Sequence, residues 1–326
     1  MATNPGPFHP ADILIDERRR LYHQLFTTGD LANDILIVGD PRRVTKIADE
    51  FLDVNFEEDN RGLHTITGST KEHGDRISLL TSGMGTPSLE IALVEAINEH
   101  EIDLETLTRR EPPYPMINII RVGTSGGIQR ETEPGTLIIT DYDIGLDNTG
   151  IFYQVPHPDR DSKVLERRVR KALNDAVPKG YRFKGDFRPY ASRAHPDALK
   201  ALVDAAQING DNYKVGITAS NAGFNANQGR NVLRIKPTIE DLPLLLERLD
   251  TGIPGQKIEN NEMEASALFH VMWGLGYRAG AICVAIANRF HGTVNINYDQ
   301  AMSNASRIGL TALHDLIKSS RPVYSP

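Results

Sequence analysis

The sequence predicts an α/β fold built around a central β-sheet that is mixed or largely parallel. Two observations carry this. Six short runs rich in β-branched residues are apolar without alternation, as strands covered on both faces are. Between them lie stretches of helical length with apolar residues at helical spacing.

In chain order the strand runs are ILIVG (35–39), ISLLTSG (77–83), NIIRVG (118–123), TLIITD (136–141), YKVGITAS (213–220) and GAICVAIANR (280–289). Helical patterns occupy TPSLEIALVEAINEHE (86–101), EMEASALFHVMWGLGY (262–277) and a final segment over about 301–319. The stretch LETLTRREPPYPM (104–116) reads as a surface insertion between helix and strand. Residues 1–20 read as an N-terminal arm, followed by a single domain over 21–326, with no Gly/Ser/Pro linker dividing it.

A chain of 326 residues can bury a sizeable core. Its formal net charge of −7 argues against a general nucleic-acid surface, so any bound anion must be held by local arginines. The one cysteine, Cys283, sits inside AICVAIA and reads as a small buried hydrophobe, which suits a reducing compartment. The N-terminal segment is polar and charged, and no run approaches the length needed to span a bilayer. A cytoplasmic enzyme without a membrane partner is the expectation.

Four strand runs end in glycine or a small polar residue: VGDPRR, TSGMGTPS, RVGTSGG and TASN. Ligands of α/β sheets collect at the carboxyl ends of strands, so a site is expected there. GTSGG matches the G-x-S-x-G elbow of serine hydrolases, with Ser125 as nucleophile. Such an enzyme also needs a histidine base, and those at 157, 195, 270, 291 and 314 have no telling context. The same turn can instead cradle an anion through its backbone N–H groups. GMGTPS approximates a dinucleotide fingerprint, but Ser88 replaces the last glycine.

Arg121 stands inside an apolar run, where a guanidinium needs a partner, and a bound phosphate or a structural ion pair would serve. Arg43 follows VGDP at another strand end. Glu262 and Glu264 precede a helix; one can face a ligand and accept from sugar hydroxyls, or simply favour the helix N-terminus. In GFNANQGRN, Phe224 offers a stacking face, while Gln228 and Arg230 can match the carbonyl and N–H pattern of uracil.

Together VGDPRRV, SGMGTPS, RVGTSGGIQ, TASNAGFNANQGR and NNEMEASALF resemble, in order and spacing, the nucleoside phosphorylase superfamily. The Phe-x-x-x-Gln-x-Arg stretch resembles its uridine phosphorylase branch. The resemblance covers about residues 21–320 and implies a three-layer fold with helices on both sides of the sheet. It implies reversible phosphorolysis of uridine, with deoxyuridine or thymidine as further substrates. Inorganic phosphate is then a co-substrate, and neither metal nor cofactor is expected.

The resemblance also assigns residues. Phosphate falls to Gly39, Arg43, Arg121 and Thr124, with Arg61 from a neighbouring subunit of a homo-oligomer. Ribose falls to Thr124, Met263 and Glu264, with His23 from the partner chain. The base falls to Phe224, Gln228, Arg230 and Arg289. Ser125 becomes a small neighbour of the working hydroxyl of Thr124.

A purine site of this kind would carry an aspartate after AICVAIA, where this chain has Asn288 and Arg289. Gly62 stands where some relatives carry a carboxylate at an intersubunit cation site, and Asn227 where glycine is common. A purine nucleoside phosphorylase or a nucleosidase of the same fold remains the alternative, as does a serine hydrolase using Ser125.

Overall fold

A computed structural model describes residues 6–295 and 297–320; residues 1–5 of the expected arm and 321–326 of the expected domain lie outside the described residues. The chain opens with β1 (Asp34–Val38), α1 (Pro41–Phe51), β2 (Leu52–Asn60), β3 (Leu63–Thr70), β4 (Arg76–Thr81) and α2 (Thr86–Glu101). It continues through β5 (Ile102–Asp103), β6 (Thr108–Arg109), β7 (Asn118–Gly127), β8 (Leu137–Leu146), α3 (Arg160–Ala176), β9 (Tyr190–Arg193) and α4 (Pro196–Asn209). The last elements are β10 (Tyr213–Asn221), α5 (Leu242–Glu247), β11 (Ile258–Glu262), α6 (Ala265–Leu275), β12 (Arg278–Asn288), β13 (Thr293–Val294) and α7 (Asp299–Ser319).

All six apolar runs are strands of one large mixed sheet, ordered β13-β12-β8-β10-β11-β7-β1-β4-β3-β2. β1, β4, β7 and β12 pair in parallel, as do β8, β10 and β11, and antiparallel pairings join these groups and extend the edge. Because β12 pairs with both β7 and β8, the strands β7, β12, β8, β10 and β11 close into a ring. Closure leaves these five strands without a free edge, while β2 remains at the edge of the sheet.

The lack of alternation has the expected cause. Ile35 and Ile37 of β1 enter a core with α2 and α6, whereas Leu36 and Val38 enter a second core with α1, α4 and α7. In β7, Ile119 belongs to the first and Ile120 and Val122 to the second. Two-residue periodicity therefore directs Arg121 to the α2/α6 face. A third core lies between β8, β10 and helices α3 and α5.

The segment 104–116 departs from its expectation as a surface insertion. Leu104, Leu107 and Tyr114 are buried in the first core, and β5 pairs with β6. Tyr114 also donates to the Arg110 carbonyl at 2.9 Å, which ties the segment to itself. Phe8 and Ile13 lie against the same core.

Among the described residues no helix is long and apolar enough to cross a membrane.

Candidate active site

The carboxyl ends of β1, β7 and β11 meet the loop after β10 around a cleft of about 510 Å³. Its walls carry nine of the expected residues: Gly39, Arg43, Arg121, Thr124, Phe224, Gln228, Arg230, Met263 and Glu264. Arg42, Met84, Asn261 and Ile286 line it as well and were not expected to bind ligand, and so does Glu262, whose role the sequence left open. His23, Arg61 and Arg289 do not line it.

At the end of β1 the chain turns directly into α1. Asp40 caps that helix by accepting from the Arg42 N–H at 3.0 Å, and Pro41 occupies its first turn. Arg42 is held by Asp40 at 3.0 Å, whereas the Arg43 guanidinium has no hydrogen bond or ion pair among the described residues, its backbone N–H donating to the Asp40 carbonyl at 2.9 Å. An unpaired guanidinium beside a helix N-terminus is a place for an anion.

Arg121 is buried, and its guanidinium meets Glu262 at 3.0 Å and Glu264 as close partners. Nη1 also lies 3.1 Å from the Cys283 sulfur. Burial alone would lower its pKa, but the two glutamates hold it above the ordinary arginine value. Its burial is thus accounted for by internal ion pairs, one of the two partners that the sequence left open. Gly123 makes the arrangement possible, because a Cβ there would sit 2.2 Å from the Arg121 guanidinium. Cys283 is buried as expected, and burial pushes its thiol up to about 12.

The two glutamates have separate duties. Glu262 ends β11 and accepts from the backbone N–H groups of Glu264 and Ala265 at 2.9 to 3.1 Å, so it caps α6. Glu264 makes no such cap; its Oε1 accepts from the Gly85 N–H at 2.6 Å and its Oε2 faces Arg121. Glu264 therefore turns into the cleft between the glycine-rich turn of 83–85 and the end of β7.

At the far wall Gln228 is buried, and its Oε1 accepts from Arg230 Nη1 at 2.7 Å. The Arg230 guanidinium lies over the Phe224 ring at 3.7 Å, so one face of the expected stacking platform already carries Arg230. Burial and the nearby charge of Arg289 lower the Arg230 pKa. Arg289 itself donates to the Gly229 carbonyl at 2.8 Å and braces the turn from outside the cleft. That turn takes its left-handed residue at Gly229, φ 73°, and not at Asn227. Asn288 is a buried clamp on the carbonyls of Gln129 and Thr132, at 2.9 and 2.8 Å.

His23 and Arg61 are brought together elsewhere. Arg61 and Gly62, both left-handed at φ 57° and 77°, form the two-residue turn between β2 and β3, which leaves Arg61 exposed at the tip. Its Nη1 reaches the Tyr22 hydroxyl at 3.3 Å, and Asn60 donates to the His23 carbonyl at 3.0 Å. Buried Glu95 fixes the His23 ring through Nδ1 at 2.7 Å and accepts from its backbone N–H at 3.0 Å. Glu95 was invisible in sequence because it lies in the ordinary helical pattern of α2.

No histidine lines the cleft among the described residues, and the Ser125 Oγ is buried without a hydrogen-bond partner. The base a serine nucleophile requires is not beside it.

The chain belongs to the phosphorylase superfamily, whose sequence profile matches residues 34–314. The particular relatives fall in two branches. A uridine phosphorylase of Thermococcus kodakarensis is 31% identical over 271 residues, 82% of this chain and 77% of that one. A DeoD-type purine nucleoside phosphorylase of Listeria welshimeri is 29% identical over 266 residues, 81% and 85% of the two chains. A nucleoside phosphorylase of Trypanosoma brucei, described as having uridine phosphorylase activity, superposes with a TM-score of 0.83. It is 28% identical, and the match covers 93% of this chain and all of the other.

If Gln228 binds the base, Gln228→Ala is expected to raise KM for the nucleoside at least tenfold while leaving KM for phosphate within about twofold, since a buried polar pair to the base would be worth about 1.5 kcal/mol or more. Steady-state kinetics with each substrate varied in turn measures this. An equal effect on both would place Gln228 outside the base pocket.

Proposed function

We propose that the protein catalyses reversible phosphorolysis of uridine to uracil and ribose 1-phosphate. The observation that carries the choice of base is the cluster of Gln228, Arg230 and Phe224 in the wall of a cleft that Arg43 and Arg121 also line. Arg230 and the Gln228 amide can donate to the two uracil carbonyls, and the amide oxygen can accept from the ring N–H. Cytosine would set its amino group against a guanidinium, so uridine is preferred over cytidine. On the purine side, Asn288 is already spent on the carbonyls of residues 129 and 132.

Phosphate attacks the anomeric carbon as the bond to the base nitrogen breaks, through a transition state with oxocarbenium character. The electron pair of the broken bond leaves on uracil, where Gln228 and Arg230 stabilise it until a proton arrives. Arg43, Arg121 and the backbone at Gly39 and Thr124 orient the phosphate beside the developing cation. Glu264 takes the ribose hydroxyls, with Met263 against the sugar. A nucleosidase would use water and would have no need of the unpaired Arg43.

The test is release of uracil from uridine with and without inorganic phosphate, with inosine in parallel. Release that requires phosphate and favours uridine by a factor of ten or more is the expected result. Release without phosphate would make the protein a nucleosidase, and a preference for inosine would move it to the purine branch.

A further inference from the structure

Beneath Glu262 lies a second carboxyl that the reaction above does not use. Asp143 of β8, Ser220 of β10, Glu262 of β11 and Arg121 of β7 form a chain across four consecutive strands of the sheet. Ser220 Oγ lies 2.8 Å from Asp143 Oδ2, contacts Glu262 Oε1 and accepts from the Ser266 N–H at 3.1 Å.

Counting hydrogens fixes the protonation of this chain. One hydroxyl has one hydrogen, yet it bridges two carboxyl oxygens, so one of the two carboxyls must donate. Glu262 is surrounded by donors: two backbone N–H groups, Arg121 and Ser220. Asp143 has the opposite surroundings, with Oδ1 buried and unpartnered and only Ser220 at Oδ2. We infer that Asp143 is a neutral, proton-donating positioning residue, whose O–H donates to Ser220 so that Ser220 donates to Glu262 and Glu262 holds Arg121 in place for phosphate.

The charges around Asp143 agree. Glu262 at the end of β11 and Asp147 just past the end of β8 oppose an ionised carboxylate, and Arg121 favours one. Asp147 is itself fully engaged as an acceptor, from the Tyr190 hydroxyl at 3.0 Å and the Ser266 hydroxyl at 2.8 Å. Burial first, and Glu262 second, raise the Asp143 carboxyl well above the ordinary value. An ionised Asp143 would add a negative charge behind the arginine that has to receive a phosphate dianion.

The role of Asp143 rests on the phosphorolytic reading for its kinetic part only. Infrared difference spectroscopy of the wild type against Asp143→Asn at neutral pH is expected to show a carboxylic-acid C=O stretch that the variant lacks; no such band would overturn the inference whatever the substrate. Asp143→Ala is expected to raise KM for inorganic phosphate about tenfold with kcat changed less than about threefold, and Asp143→Asn, which keeps an N–H donor, to recover most of that loss. Wild-type phosphate KM in Asp143→Ala would overturn the positioning role. Should the alanine variant fail to fold, Ser220→Ala breaks the same chain and carries the same expectation. If no nucleoside is cleaved at all, the functional reading fails while the infrared result still decides the state of Asp143.

Discussion

Arg121→Ala is expected to abolish phosphorolysis and to cost about 3–5 kcal/mol of stability. The first effect follows from the cleft position and the second from what the alanine leaves behind. Glu262 and Glu264 are both buried, and Arg121 is the cation that faces both. Without it two like charges share a low-dielectric pocket, and one must protonate. Burial already raises Glu262 with Arg121 present, so the proton is expected there, with a weaker α6 cap as a consequence. Arg121→Lys separates the two effects. A lysine restores a charge but cannot bridge both carboxylates and the Cys283 sulfur at once, so it is expected to recover part of the stability and little of the activity. Urea denaturation and phosphate-dependent uracil release on both variants test this. An alanine variant as stable as the wild type would mean that the glutamates do not depend on Arg121.

From the sequence alone the loss of activity can be expected but the loss of stability cannot, and the reason shows what a sequence can carry. The strands were legible because their residues face cores on both sides, and a continuous apolar run has few other meanings. β11 was not, because its five residues IENNE are buried yet mostly polar. Their hydrogen bonds run to strands distant in the chain, such as Asn260 to Thr218 and Glu259 to Lys214. Hydropathy cannot distinguish such a segment from a loop. The β2–β3 hairpin was missed for a related reason: β2 lies at the sheet edge with most of LDVNFEEDN exposed or half-buried, so it lacks the apolar signal. Its turn carried only half of the usual local sign, Gly62 at the second position, because Arg61 is not among the residues favoured at positive φ in the first.

The cleft was legible in its strand-end motifs, and nine residues expected there line it. What escaped was the wiring behind them. Glu262 beside Ser220, Glu95 behind His23 and Asp143 behind Ser220 each pair with residues 40 or more positions away. Nothing in local spacing signals such partners. The insertion over 104–116 was misjudged because its apolar anchors, Leu104, Leu107 and Tyr114, are isolated among polar residues and form no periodic pattern.

Glu264→Gln is expected to lower kcat/KM by on the order of a hundredfold or more, because contacts to the sugar hydroxyls that strengthen in the transition state contribute several kcal/mol. Its fold should survive. The amide oxygen can still accept from the Gly85 N–H, and Arg121 keeps Glu262 as a partner. This stable, inactive variant also tests whether the site is shared. Glu95 holds His23 Nδ1, and Nε2 has no partner among the described residues. Arg61 stands exposed on the same patch. If a second subunit presents this patch to the cleft, His23→Ala is expected to be inactive for a reason independent of Glu264. Equal mixing of the two variants under conditions of subunit exchange then gives mixed dimers with one intact site each, and activity should return to roughly a quarter of the wild-type level. Activity that stays at the level of the separate variants after verified exchange would confine each site to one chain, and His23 would then be no more than the end of the Glu95 hydrogen-bond network.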